Sequence, residues 1–334
     1  MARKCGSRGV VVSVVLVLGI MAVLLFIRNP FESHDRLNQA LWNTGHLFFF
    51  AFAGWLLLSQ TAIGRRGWLA MLTISLLFSL LFGGAIEVAQ YRIGRYMEWQ
   101  DLLTDLLGGL LGFVAALFCQ SSQQRPALLK TNLRISASMG LIFLLAFYPV
   151  FYILLDDYRM AQRFPILADF ESANELEHWE SDHVARLEID HAQVAQGHAS
   201  LRVELSPAEF SAVTLQFFPA DWMHYDQLHI SVYNSQPEPL PVELKIFDQQ
   251  HTRNDYRYDD RFNRELLLKP GWNHLKISLR DLYNAPRDRK MDLRNMDVIS
   301  LFSYRLPAPV TIYLDNIYLS RKTPGEAPGF SEAP

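Results

Sequence analysis

Two rhythms of apolar residues divide the chain. Up to Leu155 they come in long stretches, at about Val10–Ile27, Leu41–Leu58, Trp68–Val88, Leu102–Phe118 and Ile135–Leu155. Each is close to the roughly 20 residues that cross a hydrocarbon core about 30 Å thick. Lipid offers no partner to a free amide or carbonyl, so these stretches predict five transmembrane helices. From Asp169 the pattern changes to short alternating runs. Leu201, Val203 and Leu205 alternate with polar residues, as do Val242, Leu244 and Ile246, and each run predicts a strand with one buried face. Leu228–Tyr233, Asn273–Leu279, Val298–Phe302 and Thr311–Leu319 continue the pattern, separated by Pro237, Pro239, Pro241 and the Pro270–Gly271 turn. About eight to ten strands fit an antiparallel sandwich of jelly-roll type.

The expected architecture is therefore a membrane α-helical bundle over residues 1–155, a short charged linker over 156–166, an all-β jelly-roll sandwich over 167–320 and a disordered tail over 321–334. The tail is rich in Pro, Gly and Glu, with little to bury. Charge follows the same division. Residues up to Leu155 carry 12 Lys+Arg and 6 Asp+Glu, a net of +6; the remainder carries 19 and 28, a net of −9, which argues against a nucleic-acid partner. The amino end, the turn with Arg65 and Arg66, and the segment with Arg125, Lys130 and Arg134 hold basic residues and no acidic one. By the positive-inside rule they are cytoplasmic, which places the amino terminus inside and the β domain outside a bacterial inner membrane, on its periplasmic side. The first stretch lacks a small-x-small cleavage site before Arg28 and reads as a retained anchor. Cys5 and Cys119 fall on the cytoplasmic side, so the outer fold must stand without a disulfide.

Polar and ionisable groups beside lipid are costly, which makes His46, Glu87, Gln90, Arg95, Asp101 and Asp105 candidates for function. Glu87 and Gln90 are three apart and Asp101 and Asp105 four apart, so each pair shares a helical face. Gly108 and Gly112 form a small-xxx-small pair on the aspartate face, which lets a neighbouring helix approach and bring His46 or Glu87 within reach of the aspartates. Two carboxylates on adjacent turns suit an acid, a base or a polar-headgroup site, although each residue taken singly reads equally as a satisfied group at the rim of a bundle. His46, Glu87, Gln90, Arg95, Asp101, Asp105, Gly108 and Gly112 in this order and spacing resemble the VanZ-like membrane family, over roughly Arg36 to Cys119. The family pattern is broken in two places: Trp42 and Asn43 stand where an acidic-basic pair is usual, and Asp105 where an asparagine is usual. The resemblance implies work at the cell envelope rather than a defined reaction.

In the β half, Asp169, Phe170 and Glu171, then Gly197, Ser200, Leu201 and Val203, then Pro270 to Asn273, then Leu314 to Ile317 resemble galactose-binding-like jelly rolls, among them many carbohydrate-binding modules, over about Leu167 to Ser320. In that fold the first and last strands often hold a structural calcium. The resemblance therefore implies Glu171, Asp315 and Asp169 as oxygen ligands, against the plainer reading of acids capping strand ends. Sugar recognition joins aromatic faces to planar polar groups. Tyr256, Tyr258, Asp260, Arg261 and Asn263 offer both in one short segment, with Trp222, Tyr225 and Tyr304 as further candidates; Trp222, Trp272 and Phe302 are expected to pack inside.

The reading these features support is an envelope-associated membrane protein whose jelly roll binds a glycan or glycolipid. An acid/base enzyme acting on a lipid-linked envelope substrate and a docking protein for an envelope assembly are the alternatives. No Ser-His-Asp order, P-loop, dinucleotide glycine motif or zinc spacing is present, so the enzyme reading rests on the polar cluster alone.

Overall fold

The computed structural model describes residues 36–92, 99–123 and 129–321, together with 16, 19, 21 and 23. The chain forms two compact units, Met1–Leu155 and Asp156–Pro334. Most of the first apolar stretch, Arg95 and the tail from Thr323 lie outside the described residues.

In the first unit, α1 (Arg36–Gln60), α2 (Trp68–Arg92) and α3 (Trp99–Gln123) are long and apolar enough to cross a membrane. The last apolar stretch is divided into α4 (Leu129–Ala146) and α5 (Tyr148–Arg163), which meet at a 52° bend. Pro149 accounts for the break: it has no N–H to donate, and its ring clashes with the carbonyl four residues back. Asp156, Asp157, Arg159 and Arg163 then make the end of α5 polar. Where the sequence predicts five spans, the described residues therefore give three, or four if the bent pair is one span.

Small residues let these helices close on one another. A Cβ on Gly108 would lie 2.6 Å from Leu47 O and 2.8 Å from the Phe50 Cβ; one on Gly112 would lie 2.5 Å from Ala51 O and 2.8 Å from Trp55 N. The backbone of α1 thus rests directly on the glycines of α3, as the small-xxx-small spacing predicts. On the neighbouring face of α3, Gly109 accepts a hydrogen bond from Ser75 Oγ of α2 at 2.8 Å. Ser75, Ser79, Gly83 and Glu87 recur every fourth residue of α2 and are all buried, so one narrow stripe of small side chains on α2 leads to a carboxylate.

The second unit is an all-β jelly-roll sandwich of two antiparallel sheets. Its strands are β1 (Ile166–Ala168), β2 (Trp179–Asp182), β3 (Val184–Asp190), β4 (Ser200–Leu205), β5 (Phe210–Leu215), β6 (Gln227–Asn234), β7 (Leu240–Asp248), β8 (Phe262–Leu268), β9 (Gly271–Ser278), β10 (Met296–Tyr304) and β11 (Val310–Ser320). One sheet runs β3-β4-β11-β6-β9, with β1 also paired to β11; the other runs β2-β5-β10-β7-β8. Leu201, Val203 and Leu205 of β4 and Val242, Leu244 and Ile246 of β7 join one core with Trp222, which is fully buried. Two aromatic expectations change. Trp272 packs edge-on against Tyr233 at 5.3 Å and beside His274, outside the core cluster, because its partner position in β6 is Tyr233 rather than an inward residue. Phe302 also lies outside that cluster, and the register of β10 explains why.

Candidate functional site

Successive residues of a strand face opposite sides of a sheet. Ile299 and Leu301 of β10 join the core, so Ser300, Phe302 and Tyr304 point outward. Pairing brings Phe302 between Ala212 of β5 and Glu243 of β7, and Ser300 between Thr214 and Lys245; Glu180 and Asp182 of β2 continue the same rows. The result is an open cleft of about 500 Å³ lined by Asp182, Phe210, Lys245, Arg261, Phe302 and Tyr304. A second cleft of about 510 Å³ shares Phe302 and Tyr304 and extends to Glu243, Glu265 and Leu267. Phe302 is only 6% exposed although it faces outward, because it lies at the floor of the groove, whereas Tyr304 at the rim is 53% exposed.

Cations line the floor and rim. Lys245 Nζ sits 5.8 Å from the Phe302 ring and 5.7 Å from that of Phe247, close enough for cation–π attraction. Burial, with Arg261 adding to it, lowers the Lys245 pKa. Arg261 lies over the Tyr258 ring at 5.2 Å and donates through Nε to Asn263 Oδ1 at 2.9 Å. Aromatic faces, a fixed guanidinium, an ammonium and carboxylates along an open groove form the mixture that stacks on a pyranose and pairs with its hydroxyls.

Of the residues singled out from sequence, Tyr258, Arg261 and Asn263 line a neighbouring recess of about 470 Å³, and Arg261 reaches the main cleft as well. Tyr256 is exposed and meets His251 edge-on at 5.6 Å. Asp260 turns inward: it is 5% exposed and accepts from Arg289 Nε at 2.7 Å and Nη2 at 2.9 Å, and from Asn254 at 3.1 Å. Tyr225 packs against Phe164 and Trp222 is in the core, so neither is in the cleft, whereas Tyr304 is. Sequence reasoning missed Lys245 and Phe210. The available signal was alternation, since Lys245 must oppose the inward Leu244 and Ile246.

In the helical unit the polar residues do converge. His46 Nδ1 lies 2.8 Å from Asp105 Oδ1, and His46 Nε2 lies 3.8 Å from Asp101 Oδ2. His46, Glu87 and Asp101 offer ligand atoms that all lie within 4.8 Å of one another. These residues, with Gln90 and Asp105, are buried. Residues 11–120 match the VanZ/LLP1 family model. The whole cluster falls inside the matched residues, as do Gly108 and Gly112, which seat α1 on α3. No curated protein matches the chain. For the β unit, similar solved structures include an exo-β-agarase (16% identity, TM-score 0.39), covering 48% of this chain and 25% of the agarase. The family 11 carbohydrate-binding module from Clostridium thermocellum, in complex with a β-1,3-1,4-mixed-linked tetrasaccharide, is 14% identical with a TM-score of 0.36, covering 47% of this chain and 94% of the module. TmCBM61 in complex with β-1,4-galactotriose is 14% identical with a TM-score of 0.30, covering 46% and 94%. The chain thus spans about a quarter of the agarase.

The three acids expected at a calcium site divide into two kinds. Glu171 Oε1 accepts from the His198 and Ala199 amides at 2.6 and 3.3 Å, and Asp315 Oδ2 from those of Ala195 and Gln196 at 2.7 and 3.0 Å. Both carboxylates therefore hold the same loop, from opposite ends of the β unit's sequence. A bulge in β11 at Asn316, with φ of 50°, aims Asp315 at that loop. Burial pushes the Asp315 carboxyl up, and Asp169 adds to the shift. Asp315 Oδ1 also accepts from the Asn316 amide at 2.6 Å, so backbone amides and, among the described residues, no Lys or Arg partner these two carboxylates. Asp169 differs, because its carboxylate is paired with Arg163, which also holds Glu175 Oε1 at 2.6 Å.

Proposed function

We propose that this chain is a glycan-binding protein of the bacterial envelope: the outward face of the β2-β5-β10-β7-β8 sheet takes an oligosaccharide or the sugar portion of a glycolipid, and the apolar helices anchor it in the inner membrane with the β unit on the periplasmic side. The observation that carries this reading is the open cleft whose floor is Phe302, whose rim is Tyr304 and whose sides bear Lys245 and Arg261. Tyr304 offers an exposed ring to an apolar sugar face, while Arg261 and Asp182 are placed for hydroxyl groups. Glu171 and Asp315 hold a structural calcium that pins the loop between β3 and β4. This role is distinct from sugar contact.

The test is binding of the purified full chain to a panel of envelope glycans and glycolipid headgroups. Saturable binding that falls at least tenfold in Tyr304→Ala and in Arg261→Ala, and persists in Tyr313→Ala on the opposite sheet, supports the cleft. Folded protein that binds no member of the panel, or binding that ignores both cleft substitutions, moves the reading to a protein-docking surface.

A further inference from the structure

The buried cluster of the helical unit has a use that glycan capture does not absorb. His46 projects from α1, Glu87 from α2 and Asp101 from α3, and one ligand atom of each lies within 4.8 Å of the other two. Three donors disposed tetrahedrally at about 2.0–2.2 Å from a common ion lie about 3.3–3.6 Å apart. The three side chains therefore need to close by about an ångström at most to share one. His46 Nε2 and Asp101 Oδ2, at 3.8 Å, are already near that separation.

A second observation concerns the ring itself. Asp105 Oδ1 lies 2.8 Å from His46 Nδ1, and Asp105 is fully buried. A carboxylate accepting from Nδ1–H fixes the tautomer and leaves the Nε2 lone pair facing Asp101. This is the usual outer support of a metal-bound histidine. The other oxygen, Asp105 Oδ2, is buried without a hydrogen-bond partner among the described residues and lies against Gly83, one turn before Glu87 on the same face of α2. The lack of a side chain at Gly83 and at the glycines of α3 admits these carboxylates to the interior, where an apolar residue would fill the space. Glu87 is five residues from the end of α2 and Asp101 two from the start of α3, so at 1.5 Å per residue the donors are within about 8 Å of one end of the bundle.

We propose that His46, Glu87 and Asp101 bind one divalent first-row transition-metal ion, with Asp105 as the positioning residue for His46. One imidazole and two carboxylates form a mixed nitrogen–oxygen set that suits Zn²⁺, Mn²⁺ or Fe²⁺, whereas an all-oxygen cage would be expected for Ca²⁺ or Mg²⁺. The donor groups also carry negative charge that suits a dication.

Full-length protein purified in detergent is stripped with a chelator, dialysed, and titrated with Zn²⁺, Mn²⁺ and Co²⁺, with bound metal measured by elemental analysis. About one equivalent per chain is expected. His46→Gln, Glu87→Gln and Asp101→Asn should lose it, Glu171→Gln in the β unit should keep it, and Asp105→Asn should bind 10- to 100-fold more weakly. Should a cluster variant fail to fold, the Co²⁺ form of the wild-type protein decides: a visible ligand-field band with a paramagnetically shifted imidazole N–H resonance is expected. Wild-type protein that takes up no stoichiometric ion, or metal retained equally in His46→Gln and Asp101→Asn, or a Co²⁺ form with no imidazole signal, overturns the site and leaves a buried His–Asp ion pair.

Discussion

Asp260 tests how the loop beside the cleft is held. Its carboxylate shares the Arg289 guanidinium with Asp248, which accepts from Nη1 at 2.5 Å and Nη2 at 2.7 Å. The Arg289 hydrogen bonds, opposed by burial and supported by Asn254, hold the Asp260 carboxyl at about 2, against an ordinary 3.8. A folded-state value below the unfolded one means that the stabilisation is fully present above the unfolded pKa and disappears as pH falls through the folded pKa. The difference of nearly two pH units corresponds to about 2 kcal/mol at neutral pH, roughly half of it remaining at pH 3. Asp260→Asn keeps the shape of the side chain and removes the titrating charge. Chemical unfolding of the β unit's transition in the full chain, for wild type and variant at pH 7 and pH 3, should show a stability gap that narrows by about 1 kcal/mol at the lower pH. An unchanged gap would refute the linkage. Because Asp260 faces Arg289 rather than the cleft, the folded variant at neutral pH should retain glycan binding, and loss of binding would return Asp260 to the ligand contacts.

Two further predictions follow from close contacts and from charge. Gly112→Val should destabilise the helical unit by about 1–3 kcal/mol, since its Cβ would lie 2.5 Å from Ala51 O and force α1 off α3; Gly140→Ala, with nothing within 4 Å of the added Cβ, is the control and should leave the melting temperature in detergent unchanged or slightly raised. Removing calcium with a chelator should lower the melting temperature of the β unit and Glu171→Gln should abolish that response, whereas identical melting with and without calcium would show that Glu171 and Asp315 staple their loop through N–H groups alone.

The parts of this fold legible from sequence are those governed by local periodicity. Alternation at Leu201, Val203 and Leu205 gives the buried face of β4, and continuous apolar runs give α1, α2 and α3. The division of the last run was also written in the chain, at Pro149 followed by Asp156, Asp157 and Arg159, but length alone reads it as a single span. β10 was harder. Met296–Ser303 is buried throughout, so its composition does not say which side faces the core. Only pairing with β5 and β7 on either side turns Phe302 outward, and those partners are more than 50 residues away in the chain.

The polar cluster shows the same limit from the other side. Spacing places Asp101 with Asp105 and Glu87 with Gln90 on shared helical faces, because three or four residues bring side chains one turn apart. It does not say that the two faces meet. That depends on Gly108 and Gly112 admitting the backbone of α1, on Gly109 accepting from Ser75, and on a stripe of Ser75, Ser79 and Gly83 that leaves room between α2 and α3. Each of these small residues is unremarkable alone. Recurring every four residues ahead of a buried glutamate, they mark an interior built to hold polar groups, and that periodicity is the signal by which the convergence of His46, Glu87 and Asp101 could have been anticipated.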